Sequence, residues 1–555
     1  MTRRRGSVLL CLCAALGATL GVAQAQFQPE LVYRQSAAVQ ARYPDPPVAY
    51  TTPGFTPGRS DFTSHEEMMR FLHALEQSSD NVQLRVAGAS QEGRAIPLLV
   101  LSNSGFTQAV DLARLNRPVV MLVGLQHGNE PAGGEAMLVV AQALAQGALK
   151  PLLDRITVVI MPRANPDGAF HFTRSPYSTV DINRDHVKVA LPETAALHAV
   201  VNEFQPHVFV DAHEFSVANR WIEKFGVLQS YDLLLQYATN PNVPAGVTRL
   251  ADTVFLQNIR RETERAGYTH HWYYTTSYDL DDKRVSMGGT APDIGRNFAG
   301  LQHAISFLIE SRGVGIGRQS YARRVHSHRV AIGAVLQTAA DQAARVLKTI
   351  QDSRLDMIRR GRGPLEDDTI AVRLHHVHKP QTLTMIDPDT GIPQDIEVEW
   401  RDSLVVETLL GRRRPYAYLM PPTFHEVARR LALSGVEVRR LRAPATLEVE
   451  SYSVTERRAS PIYMEGRVTS RVTTEVSVKS VSFPAGSYVY PMAQPNAQVI
   501  AVALEPEAPS SFVSFGLVPV DKAGSPGNIA APSVVPVYRL IAPVPLDSAA
   551  FEPPK

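Results

Sequence analysis

Two residues able to hold one metal ion stand three apart, at the end of an apolar run. His127 and Glu130 lie in Gly124-Leu125-Gln126-His127-Gly128-Asn129-Glu130-Pro131, directly after the apolar stretch 118–123. An imidazole and a carboxylate at that spacing form half of a zinc site, which needs a third protein ligand and an open position for water. The spacing alone recurs by chance, so the third ligand decides its meaning. A second apolar run, 208–210, leads into Asp211-Ala212-His213-Glu214. His213 completes a set of two histidines and one carboxylate for a single zinc ion, and Asp211 or Glu214 can orient a ligating imidazole. Between the ligands lie Arg174, which can stabilise an oxyanion, and Asn183 with Arg184, which can hold a carboxylate through paired hydrogen bonds. Glu310 comes after the apolar residues 307–309. A poorly solvated carboxylate there suits a base that takes a proton from an activated water and returns it to a leaving amine.

The elements that must position these groups alternate between strand and helix. A helix starts near Ser64, with Met68, Phe71, Leu72 and Leu75 on one face. A hairpin spans 82–86 and 96–101 around the turn 88–94. Strands at 119–123, 156–161 and 208–211 alternate with helices at 134–145 and 193–204, and a further helical stretch is expected at 300–306. These strands lack polar alternation, which points to a largely parallel or mixed sheet covered on both faces. The stretch 215–296 is aromatic and irregular, with Tyr268, Trp272, Tyr273, Tyr274 and Tyr278 close together, as in a long loop lining a substrate site. Beyond Gly317 a helical segment is expected over 321–360, then short β-like runs separated by Pro and Gly, with a helix at 424–434. The histidines of 375–378 fit an exposed strand better than a metal site.

Seven motifs in order carry a resemblance: Gly-Ala-Ser-Gln-Glu-Gly-Arg (88–94), His-Gly-Asn-Glu (127–130), Asn-Pro-Asp-Gly (165–168), Arg174, Asp-Ile-Asn-Arg (181–184), Asp-Ala-His-Glu (211–214) and Phe-Leu-Ile-Glu-Ser-Arg-Gly (307–313). Over residues 62–315 the chain resembles the zinc carboxypeptidase family, the carboxypeptidase A-like metallopeptidases, in its secreted bacterial form. The likeness implies an α/β fold with a mixed eight-stranded sheet between helices. It also implies one zinc ion on His127, Glu130 and His213, Arg174 at the oxyanion, Asn183 and Arg184 on the substrate carboxylate, and Glu310 as base. The implied partner is a peptide with a free C-terminal carboxylate. The family's substrate-closing tyrosine should stand four residues before Gly288-Gly289, where this chain has Arg284; Tyr278 is the aromatic expected to take over. Asp293, near Thr290 and Ala291, would favour Lys or Arg at the cleaved end. The same zinc and clamp would also serve an N-acyl amino acid deacylase or a cell-wall peptide amidase, and an inactive peptide-binding relative is the reading from another class.

The 555 residues exceed one ordinary domain. The expected division is a signal peptide (1–25), an extended segment (26–61), a catalytic domain (62–317), a helical linker (318–365) and a β-rich accessory domain (366–555). Arg3 to Arg5, a short apolar core and Ala23-Gln24-Ala25 make the leader, so export to the periplasm or the exterior is expected, with no stable membrane insertion afterwards. Setting aside those three arginines leaves 53 of the 56 basic residues against 54 acidic ones. A balance this even gives no reason to expect nucleic acid as a partner. Both cysteines, Cys11 and Cys13, fall in the leader, which leaves no disulfide or thiol chemistry.

Overall fold

Residues 119–124 are apolar at every position because both of their faces are covered. Val120 and Leu122 enter one hydrophobic cluster, while Val119, Met121 and Val123 enter another. The structure is a computed structural model that describes residues 27–105, 107–176, 178–363, 366–464, 467–520 and 534–552. The expected leader lies outside the described residues. Among those described, no helix is long and apolar enough to cross a membrane.

The first part of the chain runs α1 (His65–Gln77), β1 (Val82–Ala89), β2 (Ala95–Leu101), β3 (Val119–Gly124), α2 (Pro131–Ala145), β4 (Thr157–Met161), α3 (Pro192–Phe204), β5 (Val208–Ser216), β6 (Leu233–Tyr237), β7 (His270–Trp272), β8 (Tyr274–Thr276), β9 (Arg284–Met287), α4 (Gly295–Leu301) and β10 (Ile305–Val314). Eight strands form a mixed sheet in the order β1-β2-β4-β3-β5-β10-β6-β7. Its centre, β4-β3-β5-β10, is parallel, and β1, β2 and β6 join antiparallel. α1 and α2 pack in the cluster on one face, and α3 in the cluster on the other. Ser64 caps α1 through a reciprocal pair with Glu67, as Ser-x-x-Glu spacing dictates.

One expectation needs correcting. The helix expected at 300–306 is α4, which starts five residues earlier, and the chain is already extended at Ile305. The segment expected as a linker is α5 (Tyr321–Asp341) followed by α6 (Ala343–Arg362). α5 packs against α2 and β10, and its Ala331, Ile332, Val335 and Leu336 are fully buried in the main core. Twenty-one residues with a continuous apolar face are stabilised by burying that face, not by spanning a gap.

The remaining strands are β11 (Thr369–Ile386), β12 (Pro393–Arg413), β13 (Ala417–Met420), β14 (Arg439–Leu441), β15 (Ala445–Met464), β16 (Arg467–Phe483), β17 (Tyr488–Pro491), β18 (Val534–Leu540) and β19 (Ser548–Ala550). Seven make a sheet in the order β16-β15-β18-β13-β17-β14-β19. The β11–β12 hairpin instead extends β9 and β8 into a four-stranded sheet, with Trp400 opposite Val285. The β-rich region is therefore joined to the first part through shared strands.

Candidate active site and metal centre

The loop carrying the first two ligands is pressed onto a neighbouring backbone. A Cβ placed on Gly128 would lie 1.8 Å from the carbonyl carbon of Gly168, so only glycine fits. Asn165 ties the segments together: its amide donates to the carbonyls of Gln126 and Arg174, both at 3.1 Å, and its Oδ1 accepts from the Gly168 N–H. The Asp167 carboxylate accepts from the Ser90 hydroxyl at 2.6 Å, the Glu92 N–H at 2.9 Å and the Arg94 guanidinium at 2.8 Å. The motifs at 88–94 and 165–168 are thus a brace for the site. α2 begins at Pro131, immediately after Glu130.

Through this brace His127, Glu130 and His213 converge, all three buried, with ligand atoms within 4.8 Å of one another. Nδ1 of His127 lies 2.8 Å from Oε1 of Glu130, Nδ1 of His213 lies 2.9 Å from Oε2, and the two Nδ1 atoms are 3.0 Å apart. On the outer side of each ring stands a carboxylate. His127 Nε2 is 3.0 Å from Asp181, and His213 Nε2 is 2.8 Å from Asp211. A carboxylate on the outer side of each ring favours the tautomer with its proton on Nε2, which leaves Nδ1 to act as a ligand. Two imidazole Nδ1 atoms converging on one carboxylate make a donor set that can hold a cation. Burial disfavours protonated His213, yet Asp211 and Glu130 outweigh it and hold its pKa well above the ordinary value, so a metal bound there displaces a proton from the ring. Burial likewise opposes ionised Glu130, and the two histidines hold it well below the carboxylate range. The donor set fits zinc, which takes two imidazoles and a carboxylate and keeps a position open.

Residues 68–321 match the family model described as zinc carboxypeptidase. Carboxypeptidase 2 of Trichophyton equinum is 33% identical over 488 residues, covering 85% of this chain and 88% of that protein. Carboxypeptidase 2 of Trichophyton rubrum is 33% identical over 489 residues at the same coverage. The chain belongs to the zinc carboxypeptidase family. It is a zinc metallopeptidase, and alignments of this length carry the likeness far beyond residue 321 into the β-rich region. Among solved structures, carboxypeptidase A of Helicoverpa armigera aligns with 51% of the chain and 75% of its own, at 19% identity and a TM-score of 0.40. The purified carboxypeptidase is expected to carry about one zinc per chain by elemental analysis, and His213→Ala to lose it; a variant that retains stoichiometric zinc would remove His213 from the ligand set.

Around the ligands, the register of parallel β5 and β10 places Glu310 opposite His213. Glu310 is 7% exposed. Burial, then the nearby Glu130 charge, pushes its pKa up to about 8. Arg174 reaches the cluster from the rim, its side chain 47% exposed. One of its terminal nitrogens lies 3.1 Å from His127 Nδ1, and Nε and the other terminal nitrogen both donate to Asp181. Asn183 is 3.0 Å from His213 Nε2 and accepts from the Gly295 N–H at 2.7 Å. The Arg184 guanidinium donates to the Asn183 carbonyl and has no ion-pair partner among the described residues.

Tyr278 and Arg284 stand apart from this group. Tyr278 is 84% exposed with the Arg220 guanidinium over its ring, and Arg284 is paired with Asp282 at the surface. The β8–β9 hairpin carries both outward. The tyrosine near the site is Tyr273: burial, then Glu310, pushes its phenol up to about 12, against Arg184 and Arg174. It belongs to the aromatic stretch visible in the sequence, but nothing local distinguishes it from its four neighbours there. Glu214, weighed as a partner of an imidazole, instead accepts from Arg324, Ser311 and the Ala132 N–H. Asp181 does orient an imidazole, a role its sequence position two residues before Asn183 did not suggest.

Proposed function

We propose that the enzyme removes the C-terminal residue of a peptide, with Glu310 as general base. The observation that carries this reading is Glu310 itself, a buried carboxylate beside His213 that is not one of the three ligands. Bound zinc supplies Lewis-acid polarisation and acidifies water. Glu310 accepts the proton of the attacking water and delivers it to the leaving amine, which its raised proton affinity favours. Arg174, held at the rim by Asp181, donates to the carbonyl oxygen as negative charge develops there. Arg184, with no ion pair among the described residues, and Asn183 bind the terminal carboxylate and so fix which bond is presented.

Incubation of the zinc-loaded protein with a mixed peptide library, read by mass spectrometry, is expected to give ladders shortened one residue at a time from the C-terminal end. Internal fragments, or cleavage confined to N-acyl amino acids or cell-wall peptide amides, would overturn this reading in favour of an endopeptidase, a deacylase or an amidase.

A further inference from the structure

Arg296, the second residue of α4, is a buried guanidinium with no carboxylate in ion-pairing contact among the described residues. It is 2% exposed. One terminal nitrogen donates to the Gly289 carbonyl at 2.8 Å, Nε is buried with no acceptor, and no ion pair to it occurs among the described residues. A charge taken out of water with its donors unsatisfied is costly and is ordinarily kept for a partner. Its position indicates which partner. α4 starts against the proposed carboxylate clamp, since Asn183 accepts from the Gly295 N–H, and a Cβ on Gly295 would come within 3.1 Å of Asp211 Oδ2. On its other side, a Cβ on Gly288 would lie 2.8 Å from the Arg296 guanidinium and 2.6 Å from the Tyr273 ring. Arg296 therefore stands between the Gly288-Gly289 pair and the clamp, with Tyr273, Arg184 and Glu310 among the groups acting on it electrostatically.

A peptide's terminal α-carboxylate satisfies one cation, Arg184, and leaves Arg296 for a second negative charge. Asp293 does not reverse this preference: burial, which outweighs Lys188, Arg184 and the hydrogen bond with Ser510, raises its pKa and so weakens it as a counter-charge for Lys or Arg. The cavity of about 680 Å³ bordered by residues 289–292 adds Arg373, Arg401 and Arg471, none with an ion pair among the described residues, while its two carboxylates, Glu456 and Glu507, are paired with Arg458 and Arg412. The charge of those three arginines attracts acidic chains.

We propose that Arg296 determines specificity by pairing with a side-chain carboxylate, so that the enzyme releases C-terminal Glu and Asp. The proposal rests on the exopeptidase reading above. It is tested on the full-length mature protein loaded with zinc, by kcat/KM for blocked dipeptides that differ only in ending with Glu, Gln, Phe or Lys. Glu and Gln are nearly isosteric, so their ratio isolates the charge. The expected ratio is about tenfold or more in favour of Glu, falling to near one in Arg296→Gln and staying above one in Arg296→Lys. Arg296→Lys, which keeps the charge, separates loss of the pairing from loss of the fold. Release of residues with no preference for Glu over Gln, or a ratio that survives Arg296→Gln, would overturn the assignment alone. Release of no residue from any of the peptides would overturn the exopeptidase reading and this assignment with it.

Discussion

Glu310→Gln is expected to lower kcat by roughly two to four orders of magnitude, the usual contribution of a positioned base, while leaving zinc content unchanged. Glutamine keeps the shape of the side chain and fills the same buried place opposite His213 on β10, but it cannot take up a proton. The wild-type carboxyl is well matched to the task. Burial and the charge of Glu130 raise its proton affinity, so a proton taken from water is held until the amine accepts it. Because the candidate metal set of His127, Glu130 and His213 does not include it, the variant should give the same zinc-to-protein ratio as the wild type by elemental analysis. Loss of zinc together with activity would make Glu310 a ligand. Retention of activity within about tenfold would leave the base unassigned and the proposed chemistry without a proton acceptor.

The parts of the site that were legible in the sequence are those whose geometry is local. His127 and Glu130 lie within one short loop, so a half-site could be read from four residues. His213 was legible because unbroken apolar strands such as 208–210 are buried on both faces, which places the residues just after them at one end of a sheet. Arg296 and Tyr273 were not legible, because they belong to 215–296, where the elements depend on distant chain. β8 and β9 are three and four residues long and are completed by β12, more than a hundred residues downstream. Counting back four from Gly288-Gly289 to reach Arg284 assumed the family's loop length, but the hairpin moves that position to the surface. What the helical segment 318–365 packs against was hidden for a related reason. Amphipathic periodicity shows that a helix packs, not what it packs against. One signal was available: Arg324 and His328 are four apart, on one helical face otherwise made of small and apolar residues.

That face lies behind β5, and Arg324 is its ion-pairing contact with the strand. Its guanidinium meets Glu214 twice, at 2.8 and 3.0 Å, with the two side chains 4% and 0% exposed. His328 lies 3.0 Å from the carbonyl of His213, and the Glu214 N–H donates to the ligand Glu130 at 3.0 Å. Arg324→Met is expected to cost about 3–5 kcal/mol of stability, because it strands a carboxylate next to a zinc ligand. Burial outweighs Arg324 even in the native protein, so the Glu214 carboxyl already sits above its ordinary pKa. Removing the guanidinium raises it further. A carboxyl whose folded pKa exceeds its unfolded pKa loses stability as pH rises between the two values, so the deficit should be larger in alkali than in acid. Thermal melts of wild type and variant across pH measure this, and Glu214→Gln/Arg324→Met should recover part of the loss by removing the stranded charge. A deficit independent of pH and unrelieved in the double variant would assign the cost to lost packing, and would reduce α5 from an electrostatic support of the metal centre to a hydrophobic cover.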